Sequence, residues 1–169
     1  EECKRAKDII YRLLTFSRPS KGEINKIDVN NCIDSVLNLM EHQMSLSNVQ
    51  LKRVFAQGLP LIFANEKQLQ EVFMNLLNNA RDAMPEGGTV TVTTSREKDH
   101  VRMDVADMGY GMTEEVKNNI FIPFFTTKEK GTGLGLPFCQ GIIQAYDGQL
   151  RCESAPGKGT IITISFPIR

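Results

Sequence analysis

Between Glu66 and Met84 the chain carries one apolar stripe and one polar stripe, a pattern that a strand does not accommodate. Leu69, Val72, Phe73, Leu76, Leu77, Ala80 and Met84 recur at three- and four-residue steps, and Pro85-Glu86-Gly87-Gly88 ends the run. An amphipathic helix follows, and its apolar face has to be covered by a second layer. Gln68, Glu71, Asn75, Asn79 and Asp82 form the polar stripe, centred roughly 130° away at about 100° per residue. A solvated face is the expectation for Gln68 and Glu71. Asn75, Asn78 and Asn79 are different, because asparagine is a poor helix former and this cluster costs about 1 kcal/mol or more. Asn79 stands at the border of the two stripes. A carboxamide oxygen at the border of a cleft suits a hard cation such as Mg2+.

The other elements follow from period and punctuation. Residues 30–46 read as a helix on Ile33, Val36, Leu37, Met40 and Met44, after a short strand around Ile27–Val29. Residues 49–55 begin as an alternating strand, interrupted at Arg53, and Leu61–Ala64 is a further extended run. Strands at Thr89–Ser95 and Val101–Val105 are joined by a charged turn. A Gly-rich polar stretch fills 107–135, with a short helix at Thr113–Ile120. A helix over Leu136–Tyr146 leads to a hairpin, Gln149–Ser154 and Thr160–Phe166, turned by Pro156-Gly157-Lys158-Gly159. Paired strands mixed with helices predict an α+β fold, with helices on one face of a mixed, mostly antiparallel sheet. Residues 1–18 read as the end of a helix with Ile9, Ile10, Leu13, Leu14 and Phe16 on its apolar side, stopped by Pro19 and Gly22.

Composition bounds the function classes. The chain has 169 residues, enough to bury one core without disulfides or a structural metal. Lysine plus arginine and aspartate plus glutamate each number 20, so the net charge is zero and no nucleic-acid partner is expected. Apolar residues make up 41% and charged residues 24%, which argues against disorder. Cys3, Cys32, Cys139 and Cys152 contain no C-x-x-C pair, and His42 and His100 are the two histidines, so a structural zinc site is not expected. Buried thiols in a reducing compartment are expected instead. No initiator Met or signal peptide is visible, so a fragment of a longer cytoplasmic chain, soluble or membrane-anchored as a whole, is expected.

Four further stretches carry chemistry. Asp107-Met108-Gly109-Tyr110-Gly111-Met112 follows a strand; its carboxylate suits an exocyclic amino group, and its glycines permit a close approach by a planar ligand. An ordinary turn in which Asp107 bonds its own backbone is the competing reading. Phe121-Ile122-Pro123-Phe124-Phe125-Thr126-Thr127-Lys128 places three phenylalanines that need burial in a polar stretch. Gly131-Thr132-Gly133-Leu134-Gly135-Leu136 opens a helix, where free N–H groups favour a phosphate chain, with Lys128 and Lys130 just upstream. It is not G-x-G-x-x-G. Nor is Gly157-Lys158-Gly159-Thr160 a Walker A loop, because it turns a hairpin.

The order of these stretches resembles the ATP-binding catalytic domain of sensor histidine kinases. NLLNNARDAM looks like the N box, DMGYGM the G1 box, IFIPFFTTK the F box, GTGLGL the G2 box and GKGT the last glycine box. IIYRLLTFSRP looks like the end of the dimerisation hairpin. The resemblance implies a two-layer α/β sandwich of the Bergerat type, shared with gyrase-type and heat-shock chaperone ATPases. It divides the chain into a hairpin remnant and linker at 1–22 and an ATP-binding domain at 23–169. It implies ATP and Mg2+ as cofactors, with Asn79 as the metal ligand and Asn75 beside it near the phosphates. Adenine recognition falls on Asp107, with Gly109, Gly111, Met112 and Thr160 around the base. Asp82, Thr126, Thr127, Lys130, Gly131, Thr132, Gly133, Leu134, Gly135 and Leu136 fall in the nucleotide-binding boxes. Residues 113–130 would be a mobile lid tethered by Phe121, Phe124 and Phe125, and Lys128 would approach the terminal phosphates. Partners implied are the dimerisation domain of the same protein and a response-regulator receiver domain, in a homodimeric parent.

Some positions depart from that pattern. Asp82 stands where many members carry a basic residue, Ile122 replaces a common glutamate, and Tyr146-Asp147-Gly148 replaces a common His-Gly-Gly. Neither His42 nor His100 matches the acceptor motif, so the chain alone is expected to bind ATP without phosphorylating itself. Because the resemblance implies dimerisation through the helical hairpin, the chain alone is also expected to be a monomer. Rival readings are a gyrase-type ATPase, a serine kinase of the anti-sigma class, and a docking module that has lost its nucleotide. The first commonly places a glutamate base where this chain has Asn75.

Overall fold

The computed structural model describes residues 23–129 and 131–168; the predicted helix at 1–18, Cys3 and Lys130 lie outside these. The elements are β1 (Asn25–Ile27), α1 (Val29–Leu46), β2 (Val49–Phe55), β3 (Ile62–Ala64), α2 (Glu66–Asp82), β4 (Gly88–Glu97), β5 (His100–Asp107), α3 (Glu114–Asn119), α4 (Gly135–Ala145), β6 (Gln149–Ser154) and β7 (Thr160–Pro167). One five-stranded sheet has the order β2-β4-β5-β7-β6, and β1 pairs with β3 in a separate antiparallel ribbon. Within the sheet β2 runs parallel to β4, and the other neighbours are antiparallel. The parallel pair needs a long crossover, which the segment carrying β3 and α2 supplies. The α+β fold expected from the pattern, and the two-layer sandwich implied by the resemblance, are observed.

The core lies between the helices and one face of the sheet. Val90 and Val92 of β4, Val101, Met103 and Val105 of β5, and Ile162, Ile164 and Phe166 of β7 are buried at every second position. Against them lie Val72, Phe73, Leu76 and Leu77 of α2 and Ile33, Val36 and Leu37 of α1, the stripes read from the sequence. Thr94 continues the inner row of β4 and is 2% exposed. Its hydroxyl donates to Asn30 Oδ1 at 2.8 Å and accepts from Ala56 N at 3.1 Å, so the buried group is satisfied.

Several expectations shift. Val29 opens α1 rather than closing a strand, because Asp28 is the N-cap and accepts from the amides of Asn30 and Asn31. The alternation of β2 continues through Arg53. Its guanidinium bonds Asp34 Oδ1 at 2.8 Å and Asn38 Oδ1 at 2.8 Å on α1, so a charged residue occupies an inward position at a sheet edge. The turn between β4 and β5 is short, with Lys98 at φ 48°, so both strands run longer than predicted. Gln68 and Glu71 are half-buried, not solvated, and Gln68 accepts from the Tyr146 hydroxyl. Cys32 and Cys139 are buried and Cys152 is half-buried, close to the expected thiols.

Candidate functional site

A cavity of about 320 Å³ lies between α2, the loop after β5, residues 125–128 and 131–133, the start of α4 and the start of β7. That volume suits a small-molecule site. Leu76, Ala80 and Ala83 of the α2 segment, with Val105 and Ile162 of the sheet, supply apolar wall. They were read only as core or helix positions, because the floor of the cavity is continuous with the core and residue type does not separate the two.

At the sheet end, Asp107 closes β5. Its Oδ1 accepts from Gly109 N at 2.8 Å and Thr160 N at 3.1 Å, which leaves Oδ2 to accept from a ligand. The turn reading and the ligand reading therefore hold together, one for each oxygen. Burial pushes the Asp107 carboxyl above the usual carboxylate range, and the two amide donors offset only part of that. Thr160 is anchored beside it. Ser154 Oγ accepts from Met112 N at 2.9 Å and donates its one proton to Gly159 O at 2.8 Å. Thr160 is thus the donor in its 3.1 Å contact with Ser154, and its oxygen keeps acceptor capacity.

The glycines also admit the protein's own backbone, and Gly111 lines the cavity as well. A Cβ on Gly109 would stand 2.5 Å from Ala83 O, and one on Gly111, at φ 68°, 2.0 Å from Ala155 O. The close approach is made by the protein's own backbone: Tyr110 N donates to Ala83 O, and Gly157 N donates to Tyr110 O at 2.8 Å. These glycines seat the loop between α2 and the last hairpin.

At the other end, α4 begins at Gly135. Asp28, Asn65 and Thr113 cap the other described helices with a side chain, whereas Leu134 makes no side-chain cap. Gly135 and Leu136 line the cavity and bring the first amides of α4, ahead of Pro137, which has none. Uncapped N–H groups facing a cavity favour an anion. Gly133, at φ 66°, lets the chain fold against Phe124, whose N donates to Gly133 O at 3.0 Å.

The phenylalanines do not act as a set. Phe121 packs against the core and Phe125 lines the cavity, but Phe124 is 59% exposed, with φ 68° turning it outward. The expectation that all three are buried is corrected. Ile122 is exposed too, and nothing in the structure explains the absence of a glutamate there.

Along α2, Asn75 Nδ2 donates to Glu71 O at 3.1 Å, and Asn75, Asn78 and Asn79 line the cavity. Asn79 Oδ1 accepts from Lys128 Nζ at 3.0 Å, and Asp82 Oδ2 accepts from the same ammonium at 2.8 Å. Burial alone would raise the Asp82 carboxyl, but hydrogen bonds from Lys128 and Arg81 outweigh it and hold the carboxyl below its usual range. Met112, Thr126, Thr127, Gly131, Thr132 and Thr160 also line the cavity. Asp82, Gly109 and Leu134 do not; Leu134 is buried, with its N near Thr132 Oγ1 at 3.4 Å. Among the described residues no group of three or more His, Cys, Asp or Glu side chains could hold a metal. His42 and His100 are exposed and away from the lining.

Residues 64–169 match the family described as histidine kinase-, DNA gyrase B-, and HSP90-like ATPase. Sporulation kinase E of Bacillus subtilis (strain 168) is 38% identical over 169 residues, which cover 99% of this chain and 23% of that protein. The chain spans well under half the length of the curated relatives it matches first, 23% for sporulation kinase E and 40% for sporulation kinase C of the same organism. Full-length ShkA in complex with AMPPNP superposes with a TM-score of 0.83 at 26% identity, over 95% of this chain and 35% of that one. Histidine kinase ThkA in complex with the response regulator TrrA superposes with a TM-score of 0.81 at 27% identity, over 99% of this chain and 48% of that one. Five motifs in order, the sandwich fold and the match over most of the chain converge: this chain belongs to the histidine kinase-, DNA gyrase B- and HSP90-like ATPase family.

Proposed function

We propose that residues 23–169 bind Mg-ATP in this cavity and present its γ-phosphate to a histidine on the dimerisation domain of the same protein. A response-regulator receiver domain would then take the phosphoryl group. The observation that carries this is the pairing of a free carboxylate oxygen at one end of the cavity, Asp107 Oδ2, with uncapped amides at the other, on Gly135 and Leu136. An adenine amino group fits the first and a phosphate chain the second. Gly131, Thr132 and Gly133 continue the phosphate side, and Thr126 and Thr127 bring hydroxyls to it. Lys130 belongs to the same segment in sequence.

The residues fit a magnesium ion when phosphate oxygens complete its shell. Asn79 offers a carboxamide oxygen and Asp82 a nearby carboxylate, and Mg2+ usually takes one or two protein oxygens with phosphate and water. When bound, the ion neutralises charge on the terminal phosphates. Asn75 positions beside Asn79, and Lys128 supplies a mobile positive charge. The protein's part is positioning and electrostatics. Hydrolysis with a glutamate base is disfavoured, because Asn75 occupies that helical position and a neutral carboxamide does not take up a proton.

Residues 1–22 are assigned to the end of the dimerisation hairpin and its linker, in a homodimeric parent whose kinase region faces the cytoplasm. Among the described residues no helix is long and apolar enough to cross a membrane. The test has two steps. Titrating the chain with ATP, with and without Mg2+, should give saturable one-to-one binding. Adding the dimerisation domain in trans should then produce acid-labile, alkali-stable phosphate on that domain and none on the chain alone. A folded chain that binds no ATP overturns the reading.

A further inference from the structure

We propose that Lys128 is a built-in counter-cation that holds the neighbouring residues Thr126, Thr127 and Gly131 to Gly133 on α2 until magnesium and nucleotide displace it. This rests on the nucleotide reading of the cavity for its trigger, but the latch is a property of the chain without ligand.

Lys128 Nζ reaches two hard oxygen acceptors at once, Asn79 Oδ1 at 3.0 Å and Asp82 Oδ2 at 2.8 Å. Asn79 Oδ1 is the oxygen assigned above to the metal. An ammonium and a divalent cation thus compete for the same acceptor, and the divalent ion has the greater charge for it. Asp82 makes the contact possible: a basic side chain there would repel Lys128 instead of holding it. Its other oxygen accepts from Arg81 at 2.8 Å, which orients the carboxylate along α2. The rest of the segment is tied mainly to itself. Lys128 N donates to Thr126 Oγ1 at 3.1 Å, Gly131 N to Lys128 O at 3.1 Å, and Phe124 N to Gly133 O at 3.0 Å. The Nζ bonds therefore cross from a self-contained loop to the helix.

The pair is built to be exchanged. The Lys128 and Asp82 side chains are 36% and 37% exposed, and an ion pair at that exposure is weak enough for a competing cation to replace. Displacement leaves the ammonium beside the cavity, which Lys128 lines, and available to phosphate oxygens. Metal arrival and lid release become one event. The acid at position 82, which departs from the motif, is a positioning residue on this account.

Hydrogen exchange of the chain without ligand tests the latch directly. Asp82→Asn and Lys128→Gln should each speed amide exchange across residues 126–133 by roughly two- to five-fold, the range of a partly exposed ion pair. The double variant should be no faster than Lys128→Gln alone, because Lys128→Gln already removes both Nζ contacts, the one to Asp82 included. Amides of β4 and β5 should keep their wild-type rates. Calorimetry adds a second readout: without Mg2+, Asp82→Asn should bind ATP tighter by a similar factor. Unchanged exchange over 126–133 in both single variants overturns the latch, as does full additivity in the double variant. If the wild type binds no ATP, the nucleotide reading falls, while the exchange data still decide the latch.

Discussion

Replacing Asp107 by Asn separates the two jobs of that side chain. The substitution keeps its shape and leaves an oxygen for the amides of Gly109 and Thr160, now 2.8 and 3.1 Å from Oδ1. At the free position it replaces an acceptor by an NH2 donor. An adenine amino group would then meet a donor. A hydrogen bond to a charged acceptor is worth about 1.5–3 kcal/mol, so ATP affinity should fall by about 10- to 150-fold. Stability should move the other way. Burial raises the Asp107 carboxyl, so its ionised form is less favoured in the folded chain than in the unfolded chain. Its favourable contribution is complete below the ordinary carboxylate value and is lost as pH rises through the raised one. At pH 7 the wild type carries that cost and the Asn variant does not. The variant should therefore melt at or slightly above the wild-type temperature at pH 7, and the margin should shrink as pH falls toward 4. Calorimetric titration with ATP and thermal melts across pH 4–7 measure both. Affinity within threefold of wild type would refute the adenine assignment, and a clear loss of stability at pH 7 would refute the electrostatic argument.

Gly111, in the loop after β5, and Gly157, in the last hairpin, give an internal contrast. Gly111→Ala adds a strained φ, roughly 1–2 kcal/mol, and a Cβ 2.0 Å from Ala155 O, whereas Gly157→Ala at φ 73° adds strain with nothing within 4 Å. Gly111→Ala should cost at least about 2 kcal/mol and lower Tm by about 4–8 °C, clearly more than Gly157→Ala; equal losses would refute the crowding argument. Burial pushes the Cys32 thiol up to about 12 and the Cys152 thiol up to about 11, so both stay protonated near neutral pH. Maleimide labelling followed by peptide mass analysis should modify them slowly in the native chain and rapidly in guanidinium, and equal rates would contradict their burial.

Much of this protein was legible in the residues. The α2 stripe of Leu69, Val72, Phe73, Leu76 and Leu77 is buried as its period demands, because a helix exposes one face to the core whatever its neighbours are. The strands of the last hairpin and of β4 and β5 showed in their alternation for the same local reason. The helix α1 starts at Val29, one residue before the predicted 30, since Val29 suits a strand end as well as a helix start. Tertiary structure alone decided the parallel pairing of β2 with β4, which joins segments far apart in sequence. It decided that Phe124 faces solvent while Phe121 packs inward, because a positive φ overrides residue type. It also decided that Gly109 and Gly111 make room for neighbouring backbone, with Gly111 on the cavity wall as well, and that Lys128 spans to Asn79 and Asp82. Periodicity reports which face of an element is buried. Which distant atoms then meet depends on how the elements stack, and that information exists only once the chain is folded.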